Sequence, residues 1–148
     1  MEITFCPLND AWLPRAIQLS SELYRLGGLP PQDAGRERAM AELIAHPELG
    51  GTWLIQAEGE VAGYVVLTVC YSLEFHGRFG LLDELYLEEG WRGNRIGTAA
   101  LAFVDEECRR RGLKAVRLEV GHTNVRAQGL YRKLGYRVEE RHLMTKWL

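Results

Sequence analysis

Two stretches of this 148-residue chain bring together residue types that could do chemistry. In the first, Arg92-Gly93-Asn94-Arg95-Ile96-Gly97 follows an apolar-rich strand, 81–88, and leads into a helical pattern. A helix start leaves several backbone N–H groups without intrahelical acceptors, and the helix dipole adds partial positive charge there. Gly93 and Gly97 permit close approach or a positive φ, while Arg92 and Arg95 reinforce the sign. That combination suits a phosphate or pyrophosphate. An ordinary strand-to-helix turn with surface arginines would use the same residues, and a short glycine pattern alone does not choose between them. The pattern Gly-x-x-x-x-Gly-Lys-[Ser/Thr] is absent, because Thr98 follows Gly97 with no lysine, and Gly-x-Gly-x-x-Gly is absent because the two glycines are four apart, so neither a nucleoside triphosphate nor a dinucleotide is indicated. In the second stretch Asn124, Ala127 and Tyr131 share one face of an expected helix. A tyrosine so placed is core or a proton donor, and the spacing alone leaves both open.

Both stretches resemble a known family. Arg92-Gly93-Asn94-Arg95-Ile96-Gly97-Thr98-Ala99 is similar to the acyl-coenzyme A-binding signature Arg/Gln-x-x-Gly-x-Gly/Ala of the GNAT N-acetyltransferase superfamily, with Arg95 standing where the family has its first glycine. Leu118-Glu119-Val120, followed by Asn124-x-x-Ala127-x-x-Leu130-Tyr131-x-x-Leu134-Gly135-Tyr136, resembles the family's second coenzyme-binding segment. The resemblance implies acetyl-coenzyme A as cosubstrate and no metal. It implies that the coenzyme is held by the backbone of Leu85, Tyr86 and Leu87, by Arg92, Gly93, Asn94, Arg95, Ile96, Gly97 and Thr98, and by Asn124, Ala127 and Tyr131. Tyr131 would serve as general acid to the coenzyme sulfur. For the general base it points first to Glu84, then to Asp83 and Glu119: the acidic pair is similar to the Leu-Glu-Asp of some polyamine acetyltransferases, and Glu119 matches a base position of certain protein N-terminal acetyltransferases. Asp83 and Glu84, as neighbours on a strand, should point to opposite faces. His122 is a further candidate by its native pKa range. The implied reaction moves acetyl directly to a primary amine of a small molecule, polyamine- or aminoglycoside-like, or of a peptide. Alternatives are a non-catalytic acyl-coenzyme A-binding or regulatory domain on the same fold, and a phosphate-binding α/β module unrelated to the coenzyme.

The elements that must position these residues follow from periodicity. Ile3 to Cys6 reads as a strand, and Asn9-Asp10 as the cap of a helix to about Arg25 with Trp12, Leu13, Ala16, Ile17, Ser20, Leu23 and Tyr24 on its buried face. A weaker helix runs from about Gln32 to Ala45 and stops at Pro47. Thr52–Ala57 and Val61–Tyr71 are β-rich runs joined by the hairpin loop Glu58-Gly59-Glu60, and 72–80 reads as a loop. The helix after the glycine turn presents Ala100, Leu101, Val104 and Cys108 on one side and ends in Arg109-Arg110-Arg111-Gly112. A strand over 115–120, a helix over 124–134 and one or two strands within 136–147 complete the chain. The expected fold is therefore α/β: three layers of the GNAT type, with a mixed central sheet of about six to seven strands flanked by about four helices.

Bulk properties set the outer limits. Length predicts a single domain over residues 1–148. A formal net charge of −2 offers no basic excess for nucleic acid. Cys6, Cys70 and Cys108 are odd in number and far apart, which indicates neither a disulfide framework nor a zinc site. No leader pattern and no membrane-length apolar run is visible, so the expected location is cytoplasmic, with no membrane partner. Terminal strands carrying Trp147 could supply the edge of a homodimer, or Trp147 could be buried in a monomer.

Overall fold

Along Trp53-Leu54-Ile55 and Tyr64-Val65-Val66-Leu67 successive side chains point to opposite faces of a sheet, and all of them are buried. Strands buried on both faces need a layer on each side. The computed structural model, which describes residues 1–30 and 32–148, shows those layers. β1 (Ile3–Pro7), β2 (Gly50–Ala57), β3 (Glu60–Ser72), β4 (Gly77–Leu87) and β5 (Val116–Leu118) form one sheet in chain order. Pairing from β1 to β4 is antiparallel, whereas β4 and β5 are parallel, so the chain must cross over through α3 (Ile96–Arg110).

α1 (Leu13–Leu26) and α2 (Asp33–Ala45) cover one face, where Leu13, Ala16, Leu19 and Met40 pack with Leu54, Tyr64, Val66 and Tyr86. α3 covers the other face: Ile96, Ala100, Leu101, Val104 and Cys108 meet Trp53, Ile55, Val65, Leu67 and Leu82. Leu130 and Tyr131 of α4 (Val125–Lys133) lie against that second cluster. No described helix is long and apolar enough to cross a membrane.

Local chemistry accounts for the joints. Asn9 accepts the Trp12 N–H and caps a short 3-10 turn, Asp10–Trp12, that runs into α1. Glu58 and Gly59 both take positive φ, 52° and 82°, as a two-residue hairpin turn requires. Gly63 lets β3 and β4 close on each other, since a Cβ there would stand 2.0 Å from Tyr86 O. At the end of α3, Arg110 and Arg111 donate to Glu107 and Gly112 takes φ 71°. The arginine run is thus the helix end that the sequence predicts.

The three-layer α/β arrangement, with four α-helices among the described residues, is the expected one, but the sheet they form has five strands rather than six to seven. Residues 136–148 form no strand. An alternating pattern becomes a strand only where a neighbour accepts its hydrogen bonds; this tail instead runs outside, with Arg141 paired to Glu74 at 2.9 Å. Trp147 is 90% exposed, so it is not buried within its own chain. The expected loop over 72–80 is also shorter: after the turn Leu73–Phe75, β4 starts at Gly77, which pairs with Ser72. Trp12 is exposed and Leu19 buried instead, because the 3-10 turn puts Trp12 out of phase with the helix that begins at Leu13.

Candidate active site

β5 decides the geometry of the site. Its ladder with β4 comprises only Gly80↔Val116, Leu81↔Arg117 and Leu82↔Leu118. Beyond Leu82, β4 continues to Leu87 with β3 on one side alone. The Glu88 N–H reaches Ala62 O at 2.9 Å, so alternation aims the backbone of Tyr86 at β3 and that of Leu85 and Leu87 at the open side. Arg92 Nε donates to Leu87 O at 2.9 Å there, and its guanidinium lies 5.6 Å from the Tyr86 ring centroid. Leu85 and Leu87 pack their side chains on the α3 layer and Tyr86 on the α1–α2 layer. Side chains therefore anchor this strand, while its edge backbone beyond Leu82 has no partner in β5.

In the following turn Gly93 has φ 81° and Arg95 φ 61°, ψ 9°. Arg95 thus holds a left-handed conformation that costs an L-residue about 1 kcal/mol and glycine nothing; the backbone takes the glycine path although the residue departs from the family pattern. Ile96 is buried and pins the turn, whereas Arg92, Gly93, Asn94, Arg95 and Thr98 are exposed. The first backbone bond into α3 runs from Ala99 N–H to Arg95 O, and among the described residues the amides of Ile96, Gly97 and Thr98 make none to backbone. A Cβ at Gly93 or Gly97 would meet no atom within 4 Å. Open space above free amides, at a helix N-terminus flanked by arginines, fits the diphosphate of a coenzyme A.

Where β4 and β5 part, a cavity of about 250 Å³ is lined by Asp83, Glu84, Leu85, Glu119, Asn124 and Tyr131, among others. The expectation that Asp83 and Glu84 face opposite sides is corrected. Val66 pairs with Glu84 and Leu67 with Leu82, which makes Asp83 the extra residue of a β-bulge; a bulge breaks the alternation and re-aims side chains. Burial pushes both carboxyls up, Glu84 despite the hydrogen bond that Tyr64 Oη donates to it at 2.9 Å. Glu119 stands just past the β5 ladder, exposed at the rim. Burial also pushes the Tyr131 hydroxyl up, so it stays protonated at neutral pH. Asn124 caps α4 by accepting the Ala127 N–H at 3.2 Å; Ala127 itself does not line the cavity. His122 is exposed and outside the lining, and Cys108 is buried under α3 with its thiol pushed up to about 11.

Sequence reasoning overlooked the residues behind Glu84, namely Tyr64, Tyr24, Ser20 and Arg36. One signal was available: Ser20 is a polar residue in the apolar stripe of α1, and a buried hydroxyl needs a partner.

Residues 15–136 match the acetyltransferase (GNAT) family. The IAA acetyltransferase of Azospirillum brasilense is 30% identical over 131 residues, which cover 88% of this chain and 79% of that protein. The aminoalkylphosphonate N-acetyltransferase of Salmonella typhimurium (strain LT2) is 30% identical over 79 residues, 53% of this chain and about half, 51%, of that relative. Among solved structures, a predicted acetyltransferase from Clostridium acetobutylicum, determined with acetyl-CoA, shares the fold with a TM-score of 0.83 at 16% identity, over 98% of this chain and 96% of its own. With the family match spanning most of the chain and the fold agreeing, this protein belongs to the GNAT family and is an acetyltransferase.

Proposed function

We propose that the chain moves the acetyl group of acetyl-coenzyme A directly to a primary amine. The observation that carries this reading is the cavity at the β4–β5 parting, where Asp83 and Glu84 of the strand before the glycine turn meet Glu119, Asn124 and Tyr131 of the second motif. In this reading the amides of Ile96, Gly97 and Thr98, with Arg92 and Arg95, hold the diphosphate, and the open edge of Leu85 and Leu87 pairs with the pantetheine arm. The amine nitrogen bonds to the thioester carbonyl carbon as the C–S bond breaks. Glu84 takes the proton the amine loses, and Tyr131 gives one to the departing sulfur. An N–H at Leu87 polarises the carbonyl. The raised carboxyl of Glu84 and the raised, hence protonated, hydroxyl of Tyr131 suit these two tasks. Asp83 and Glu119 draw the acceptor in as a cation.

Among the described residues, no Lys or Arg lines this cavity. Charge complementarity then favours a cationic acceptor: a polyamine, an aminoglycoside or a peptide amine. Thiol release from acetyl-coenzyme A against a panel of those amines tests this, with turnover expected on at least one. Coenzyme binding without thiol release on any amine overturns it. Free cysteines at positions 6, 70 and 108 fit a reducing compartment, so the reading includes a cytoplasmic location. It also includes a homodimer, supported by the exposed Leu143, Met144 and Trp147 of the extended tail; light scattering that shows a monomer at every concentration excludes it.

A further inference from the structure

We propose that Arg92 makes this chain selective for a thioester that carries a diphosphate, because its guanidinium holds the backbone carbonyl that a pantetheine arm would pair with, and a diphosphate is needed to draw it away. The inference rests on the coenzyme reading above and adds a donor-selecting role to one residue of the turn. Leu87 ends β4, and its carbonyl points away from β3, toward the side that β5 leaves open. Arg92 Nε donates to that oxygen at 2.9 Å. A pantetheine amide that pairs with Leu87 has to arrive from the same side. The two donors compete for one place.

Local structure puts the guanidinium there. After β4 the chain makes a 3-10 turn, Glu89–Trp91, in which the Trp91 N–H reaches Glu88 O at 2.9 Å and the Arg92 N–H reaches Glu89 O at 3.2 Å. That turn folds Arg92 back onto a residue five positions earlier. Trp91 packs against the α3 cluster and Ile96 is buried, so the segment is pinned on both sides of Arg92. Arg92 itself is exposed, with its guanidinium 5.6 Å from the Tyr86 ring centroid. Its side chain can therefore leave Leu87 by rotation alone, without movement of the backbone.

Charge decides which partner wins. A backbone carbonyl is a neutral acceptor, whereas a diphosphate is anionic and can take two N–H groups of a guanidinium at once, a bond roughly twice as strong. A ligand shifts a group between two positions only by what it gains in one of them. Coenzyme A brings that gain to the turn, where the amides of Ile96, Gly97 and Thr98 make no bond to backbone among the described residues, and so releases Leu87 to its own pantetheine arm. A thioester that lacks the diphosphate meets the guanidinium still on Leu87. Pantetheine held on a carrier protein, with its single phosphate diester, gains less as well. The chain accordingly draws its acetyl group from free coenzyme rather than from a carrier-bound thioester.

Calorimetry tests this with two ligands, coenzyme A and pantetheine, the second being the same thiol arm without the nucleotide and its diphosphate. The proteins are the native chain and Arg92→Ala, with melting curves to confirm folding. Arg92→Ala should weaken coenzyme A binding about tenfold, the size of a lost charge-assisted hydrogen bond, and should tighten pantetheine binding about threefold, because the Leu87 carbonyl is then open. Opposite signs for the two ligands are the signature; a merely structural Arg92 would weaken both. Pantetheine that binds Arg92→Ala no better than the native chain, or that binds neither at millimolar concentration, overturns the proposal while leaving coenzyme binding intact. If coenzyme A does not bind the native chain, the coenzyme reading itself falls and takes this inference with it.

Discussion

Two cavities of this protein treat charge in opposite ways. The larger, about 350 Å³, is walled by Leu43, Trp53, Glu107, Arg110 and Arg111, among others. Its charges are satisfied inside the chain: both arginines donate to Glu107, and Arg111 also reaches Pro47 O at 2.7 Å and Gly50 O at 3.3 Å. Those donors, Arg110 first, hold the Glu107 carboxyl below the usual carboxylate range. The smaller cavity, about 250 Å³, gathers Asp83, Glu84 and Glu119 with no cation in its lining, and burial pushes the first two carboxyls up. Size therefore does not mark the site. Carboxylates gathered without an ion pair among the described residues do.

The comparison can be broken by experiment, most sharply at Tyr131. Removing its hydroxyl with Tyr131→Phe should lower thiol-release turnover by about 10²-fold with little change in melting temperature; unchanged turnover would remove the tyrosine from the chemistry. At the larger cavity the pattern should invert. Arg111→Ala strips two backbone carbonyls and a buried carboxylate of a donor, which should cost about 2–3 kcal/mol, or roughly 5–10 °C in Tm, while turnover stays as it was. A variant that keeps its Tm but loses turnover would erase the distinction between the two hollows.

The two glutamates offer a subtler contrast through pH. Glu84 has a raised folded pKa, so its stabilising contribution is full below the unfolded pKa and is lost as pH rises through the folded one. Glu84→Gln should therefore raise Tm near neutral pH relative to its effect in acid. Glu107 has a depressed folded pKa, so its contribution is present above the unfolded value and lost as pH falls through the folded one. Glu107→Gln should lower Tm near neutral pH and matter less in acid. Melting curves across pH that bend the same way for both variants would contradict the assignment of opposite environments.

The smallest effect is expected at the turn. Gly97 lies in the first turn of α3 and a Cβ there touches nothing in the protein. Gly97→Ala should gain about 0.5–1 kcal/mol of stability and weaken acetyl-coenzyme A binding about tenfold, because the added methyl fills space kept for the ligand. Calorimetry showing undiminished affinity would mean that the diphosphate lies elsewhere.

Much of this is legible in the amino-acid sequence. The turn at 92–97 could be read because its requirements are local: free amides at a helix start, glycine freedom and nearby cations. Its motif with the Asn124–Tyr131 segment indicated the family, and α3 buries the side chains its periodicity picked out. The tail was misread because alternation shows only that a segment can be a strand, and pairing depends on a neighbour elsewhere. The facing of Asp83 and Glu84 was misread for a related reason, since the bulge is a property of the register between β3 and β4 rather than of either strand alone.

By itself the amino-acid order determined which residues could hold an anion, which periodicities make helices and which carboxylates and tyrosine are available, because those properties depend on neighbours within a turn or two. Only the tertiary structure decided that β5 ends at Leu118, so that β4 keeps a bare edge, and that Glu84 rests against Tyr64 with Ser20 and Arg36 behind it. Those partners come from α1, α2 and β3, up to 64 residues distant from Glu84 in the chain. A hydrogen bond is set by distances of a few ångströms, and the local pattern along a chain does not encode which remote groups the fold will bring that close.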